Sequence, residues 1–144
     1  MPFRWPSTQN RTLLLGSTGS GKSVMGAHIL SMQPIHKMPY LAFDFKNEEL
    51  LNAVPYRRYI DLKDTPKEPG FYIVKCEVDT DSANIDALLS RVHRQGKTGL
   101  FFDEAFMMPH KPPFKSLNAI YTQGRSKHIP TFSLSQRPSW ISRY

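Results

Sequence analysis

Apolar residues along this chain fall into short unbroken runs, separated by stretches where they recur at helical spacing. The runs are Arg11-Thr12-Leu13-Leu14-Leu15, Tyr40-Leu41-Ala42-Phe43-Asp44-Phe45, Phe71-Tyr72-Ile73-Val74-Lys75-Cys76, Gly99-Leu100-Phe101-Phe102-Asp103 and Pro130-Thr131-Phe132-Ser133-Leu134-Ser135. Continuous apolar runs of this length, bounded by turn formers, read as strands buried on both faces, as in a parallel sheet. Tyr59-Ile60 reads as a further brief strand. Helical spacing follows Ser23 through Leu30. It recurs in a helix expected to start at Ser82, with Ile85, Leu88, Leu89 and Val92 on one face and Arg91 and Arg94 on another. A short helix over Glu48 to Ala53, capped by Asn47 and stopped before Pro55, and a longer one from Phe114 to Gly124 complete the set. Asp64 to Gly70 and Met107 to Pro113 are proline-rich and read as loops. Alternating strands and helices predict an α/β fold, a mainly parallel sheet in a three-layer α/β/α sandwich.

Length and composition narrow this picture. A chain of 144 residues fits one domain and buries about two-thirds of its unfolded surface, enough for a true core. Hydrophobic residues are 40% and charged residues 22% of the chain, an ordinary globular mixture. The single cysteine, Cys76, has no partner for an internal disulfide, which suits a reducing compartment. No apolar run approaches the ~20 residues that span a bilayer, and Met1 to Asn10 has no signal-peptide core. The net charge of +7 favours polyanionic partners, nucleic acid first among them. The basic residues are scattered rather than gathered in a tail, as Arg57 and Arg58, Arg91 and Arg94, Lys111 and Lys115, and Arg125 and Lys127 illustrate.

Gly16-Ser17-Thr18-Gly19-Ser20-Gly21-Lys22-Ser23 matches GxxxxGK(S/T), the phosphate-cradling P-loop, in full. Gly16, Gly19 and Gly21 are expected to take backbone angles that a Cβ would forbid, turning successive N–H groups inward around a phosphate chain. Lys22 would reach the β- and γ-phosphates, and the Ser23 hydroxyl would ligate Mg²⁺. The strand before the loop and the helix after it supply the required order, and phosphate at a helix N-terminus gains from free N–H groups and the dipole.

Leu100-Phe101-Phe102-Asp103-Glu104 ends an apolar strand in two carboxylates. Hydrolysis of a nucleoside triphosphate needs a carboxylate near Mg²⁺ at such a place, and a group that orients the attacking water. Asp103 fits the first role and Glu104 the second; the pair would otherwise cap a following helix. Gln136, after the last strand, reads equally as a nucleotide sensor beside the first strand or as a surface residue at the turn before Pro138. Arg125 could complete the phosphate site of a neighbouring subunit, although most arginines are solvated. His28, His36, His93, His110 and His128 have no metal-ligand spacing, so no zinc site is expected. Trp5 and Trp140 read as packing residues before base-stacking ones.

Four segments together resemble the FtsK/HerA superfamily of DNA-pumping ATPases. They are the P-loop, Phe43-Asp44-Phe45-Lys46-Asn47-Glu48-Glu49-Leu50, Phe102-Asp103-Glu104-Ala105-Phe106-Met107-Met108, and Gly124-Arg125-Ser126-Lys127-His128-Ile129-Pro130 with its sequel Leu134-Ser135-Gln136-Arg137-Pro138-Ser139. They are similar to that superfamily's Walker A loop, Asp-x-Lys strand end with a downstream Glu-Leu, Walker B strand, and Arg-x-x-x-Ile stretch leading to a Gln-Arg-Pro turn. The small size resembles the compact genome-packaging ATPases of tailless or membrane-containing viruses and phages. The resemblance implies a RecA/ASCE-type P-loop NTPase that hydrolyses ATP with Mg²⁺ and translocates double-stranded DNA. It implies a homo-oligomeric ring, usually a hexamer, acting at a capsid or portal vertex, in the host cytoplasm or virion-associated. It makes Gln136 a sensor and Arg125 a trans-acting arginine. The Met107 to Lys115 loop, with Lys111 and Lys115, is the expected DNA-facing element. Phe45 departs from the proline common at that position. The chain stops at Tyr144, where relatives continue with another strand and helix, so residues 1–144 are expected to form one ATPase domain lacking its last sheet edge. Three other readings remain: a filamentous-phage morphogenesis ATPase, which usually carries a membrane helix; an ATP-dependent assembly switch that moves nothing; and a small-molecule kinase, for which no arginine-rich lid is found.

Overall fold

Each apolar run forms a strand, and every strand pairing is parallel. The computed structural model describes residues 2, 4–105, 108 and 115–136. In chain order these give β1 (Arg11–Leu15), α1 (Lys22–Ser31), β2 (Pro39–Asp44), a 3-10 turn (Glu49–Ala53), β3 (Arg57–Tyr59), β4 (Gly70–Lys75), α2 (Val78–Gln95), β5 (Gly99–Phe102), α3 (Lys115–Gln123) and β6 (Thr131–Ser135). The sheet order is β1-β6-β5-β2-β4-β3.

The alternation of side chains along each strand divides the core in two. Leu41, Phe43, Val74, Leu100 and Phe102 face Ile85, Leu88, Leu89 and Val92 of α2 and Leu117 and Ile120 of α3. Tyr40, Ala42, Ile73, Phe101, Phe132 and Leu134 face Ile29 and Leu30 of α1, with Leu51 of the 3-10 turn and Val54 just after it. Both faces are covered, which is why β2 is buried along its whole length and reads in the sequence as an unbroken apolar run. The architecture is the three-layer α/β/α sandwich of P-loop NTPases.

Several boundaries differ from expectation. β1 is an edge strand rather than a fully buried one, with Leu13 and Leu15 nearly half exposed; a run of leucines does not distinguish an edge from the middle of a sheet. Helix α2 starts at Val78 rather than Ser82. Asp79 and Asp81 lie in its first turn, where carboxylates favour the dipole, and Asp81 Oδ2 accepts the Glu77 N–H at 2.9 Å. Glu48, not Asn47, caps the short helix, its Oε1 accepting the Leu50 N–H at 3.3 Å; Asn47 instead takes a left-handed turn, φ 57°. β3 is shifted to Arg57–Tyr59. Of the loop from Met107 to Pro113, only Met108 is described, so Lys111 lies outside the described residues, as do Trp140 and the Arg137-Pro138 turn.

Tyr40 and Gly99 are register partners on β2 and β5. A Cβ on Gly99 would lie 2.2 Å from the Tyr40 ring, and that ring is fully buried. Gly99→Ala is therefore expected to overpack the sheet at a cost of about 2 kcal/mol, lowering the thermal midpoint by roughly 6 °C. An unchanged melt would mean that the tyrosine has room to swing away.

Candidate active site

The loop between β1 and α1 is tied to the sheet by its first residue. The Gly16 N–H donates to Ser135 O on β6 at 3.3 Å, and the Ser20 N–H donates to Ser17 O at 3.2 Å. Gly19 and Gly21 sit at φ 77° and 84°, where a side chain is strained. Gly16 was expected to need such angles too, but does not; it is glycine for space, since a Cβ there would meet Ser20 Oγ at 2.4 Å. Lys22 arches back over the loop and donates from Nζ to Ser17 O at 2.8 Å. Its amine thus rests on the rim of the cradle that it would serve.

Across from this loop, β5 ends at Phe102 and delivers two buried carboxylates, Asp103 and Glu104. Glu104 turns the chain at φ 61°, a left-handed angle that costs a non-glycine residue about 1 kcal/mol. Asp103 Oδ2 and Glu104 Oε2 are both buried and accept no hydrogen bond among the described residues. Glu104 Oε1 is met by Lys46 Nζ at 2.8 Å. Burial pushes the Asp103 carboxyl up to about 6, with Glu48, Glu104 and Asp44 adding to the rise and Lys46 opposing it. Buried oxygens without donors are costly, and hard oxygen ligands are what Mg²⁺ takes. Asp103 and the Ser23 hydroxyl fit that ion.

Both halves line one cavity of about 400 Å³. Thr18, Gly19, Gly21, Lys22 and Ser23 contribute from the loop side, and Asp103, Glu104 and Gln136 from the strand ends. Gly16, Ser17 and Ser20 shape the loop without lining the cavity. β6 lies between β1 and β5, so Gln136 emerges between the phosphate loop and the acidic pair. Beside Val24 and Leu50, two charged residues that the motifs alone did not place in the site, Lys46 and Glu48, also line the cavity. Asp44 puts them there: its Oδ1 accepts the N–H groups of Lys46 at 3.2 Å and Glu48 at 2.9 Å. The signal was present in the Asp-x-Lys-x-Glu spacing at the end of a strand.

Arg125 is not in this cavity. It is exposed and precedes β6, whereas the cavity lies beyond the other end of that strand. A strand of this length spans roughly 16 Å, so the guanidinium belongs to the opposite end of the sheet from its own phosphate loop.

No family model matches the chain. Over all 144 of its residues it is 36% identical to the DNA packaging ATPase P9 of Enterobacteria phage PRD1, and it spans 63% of that protein's length. Its fold is similar to the genome packaging NTPase B204 of Sulfolobus turreted icosahedral virus 2 in complex with ATPγS, with a TM-score of 0.68 and 20% identity over 95% of this chain and 69% of that one. It is also similar to B204, the DNA-packaging ATPase from Sulfolobus turreted icosahedral virus, with a TM-score of 0.61 and 18% identity over 92% of this chain and 68% of that one. The chain thus resembles viral packaging ATPases in sequence and shares the fold of viral packaging NTPases.

The raised carboxyl of Asp103 has a consequence for stability. Below about pH 4 the group is protonated in both folded and unfolded chains and costs nothing. Between about 4 and 6 the unfolded chain releases a proton that the folded chain keeps, so stability falls as pH rises, and the full cost stands above 6. Two pKa units correspond to about 3 kcal/mol. Without divalent cations, Asp103→Asn should raise the melting midpoint at pH 7.5, and the gain should fade on acidification to pH 4. Melts of the two proteins that stay parallel from pH 4 to 8 would refute the buried carboxylate cost.

Proposed function

We propose that this chain is an ATP-hydrolysing translocase that packages double-stranded viral DNA into a capsid. The observation that carries the reading is the meeting of the phosphate loop and the Asp103-Glu104 pair in one cavity. The loop's N–H groups and Lys22 suit an anionic phosphate chain, and the acidic pair suits a cation. A magnesium–triphosphate satisfies both. Ser23 and Asp103 would hold the ion; when bound, Mg²⁺ offsets charge on the phosphates and fixes their orientation. Glu104 has Oε1 held by Lys46, and Oε2 has no partner among the described residues, so Oε2 would accept a proton from the attacking water as its oxygen bonds to the γ-phosphorus, the bond to the bridging β–γ oxygen breaks and the diphosphate leaves. Phosphoryl transfer asks mainly for positioning and charge stabilisation, which these few groups supply.

Gln136 stands between the two halves, where an amide senses whether a γ-phosphate is present. The strand that bears it also ties to the phosphate loop through Ser135, which gives nucleotide state a route into the sheet. The 36% identity to a phage DNA packaging ATPase supports the substrate class. So does the charge at the far end of the sheet. The loops and helix ends leading into the strands present Lys37, Lys67, Arg94, Lys97 and Arg125, all exposed, with Asp64 and Glu68 as exposed acidic residues in the loop before β4. Such a surface suits a phosphate backbone and would give salt-sensitive binding. Arg125 would serve the nucleotide of an adjacent copy in a hexameric ring. The setting is the host cytoplasm or a capsid or portal vertex. No helix among the described residues is long and apolar enough to cross a membrane.

Steady-state ATP turnover with and without duplex DNA tests the reading. DNA should accelerate turnover, and the acceleration should weaken as salt rises. Glu104→Gln should lower kcat by at least about 100-fold while nucleotide still binds, and Lys22→Ala should abolish binding. Turnover indifferent to DNA would favour an assembly switch that moves nothing.

A further inference from the structure

The lysine at 46 has no part in a P-loop motif, yet its ammonium lies in the cavity with the phosphate loop. Three observations define it. Its backbone N–H is held by buried Asp44, so the point where the side chain leaves the strand end is fixed. Its Nζ pairs with Glu104 Oε1 at 2.8 Å while nearly half of the side chain remains exposed. The carboxylate that it meets is buried and has no other partner on its second oxygen among the described residues. The ammonium therefore sits at the boundary between the acidic pair and the open cavity, with donor capacity to spare, since Lys has three N–H donors.

A triphosphate seated on the loop brings its terminal phosphate toward the acidic pair, because Lys22, Ser23, Asp103 and Glu104 bound the same space. A diphosphate lacks that terminal group. Lys46 is the cation across the gap, and a γ-phosphate is the anion that it meets only when a third phosphate is present. We propose that Lys46 is a specificity-determining residue that contacts the γ-phosphate while retaining Glu104, so that it distinguishes nucleoside triphosphate from diphosphate. The inference rests on the nucleotide-site reading above and adds to it a residue and a preference. Asp44 then matters to nucleotide choice as well, because the turn that it closes over Lys46 and Glu48 keeps the ammonium at the cavity mouth.

Binding of ATPγS and ADP, measured by calorimetry on the unsubstituted protein and on Lys46→Met, separates this from a structural role. Loss of a charged donor to phosphate should weaken ATPγS about tenfold or more, leave ADP within about twofold, and be restored largely by Lys46→Arg. The same comparison in a Glu104→Gln background removes the ion pair from both proteins. If Lys46 touches phosphate itself, Lys46→Met should still cost ATPγS about tenfold there. An equal loss for ATPγS and ADP, or no loss once Glu104 is Gln, would overturn the proposal. Failure of the unsubstituted protein to bind either nucleotide would overturn the site reading itself, and this inference with it.

Discussion

Two carboxylates are buried side by side at the end of β5, and among the described residues one ammonium, that of Lys46, pairs with them, at Glu104; the rest of the site answers that imbalance. Asp103 and Glu104 each carry an oxygen with no donor among the described residues, and burial drives the Asp103 carboxyl up to about 6. A protein selected only for stability would replace such a pair, since unpaired buried charge is among the costliest features of a fold. Facing it is the opposite imbalance. The P-loop offers backbone donors and Lys22, whose amine donates to the Ser17 carbonyl. Each half lacks what a metal-bound polyphosphate carries: a cation for the carboxylates, and an anion for the loop. The two deficits lie across one cavity, and that complementarity ties the architecture to nucleotide chemistry more closely than either motif does alone.

The sheet makes this juxtaposition possible. All strands run the same way, so their C-terminal ends share one edge, and groups distant in sequence are delivered to a common rim. Eighty-one positions separate Lys22 from Asp103 (103 minus 22), yet only β6 stands between their strands. Two strand spacings amount to roughly 10 Å, the scale of a phosphate chain with its metal. Placing β6 in that gap also puts Gln136 between donor loop and acidic pair. The covering helices hold the strands in register through two separate apolar layers, so the rim is set by packing on both faces.

Much of this was legible because the strongest constraints are local. The P-loop is written in consecutive residues, and its strand and helix flank it directly. The central strands announce themselves because burial on both faces removes polar positions, as in β2 and β5. What escaped depends on neighbours far along the chain. The exposure of Leu13 and Leu15 follows from β1 having a partner on one side only, and five residues cannot show how many partners they have. The start of α2 is hard to read because the run Asp79-Thr80-Asp81-Ser82 looks like a loop until Asp81 is seen closing back on Glu77. Lys46 is the instructive omission. Its spacing from Asp44 was visible, but its role follows from β2 lying beside β5, which brings the turn after one strand against the carboxylates after the other.

Arg125 shows where local reading ends and assembly begins. Exposed ahead of β6, it lies roughly a strand's length from the rim that holds its own phosphate loop, too far to act there. If it serves a phosphate at all, that phosphate belongs to another copy. The contact would then join the entry end of one sheet to the exit rim of the next, two different surfaces. A contact between unlike surfaces cannot close as a two-fold dimer; it repeats head to tail and yields a ring or a filament according to its rotation. In this reading the head-to-tail sense of the contact follows from the direction of the strands. A parallel sheet has chemically distinct ends, the exit rim carrying the phosphate loop and the acidic pair and the entry end carrying Arg125, so a contact that joins the two sets each copy against the next in one sense only.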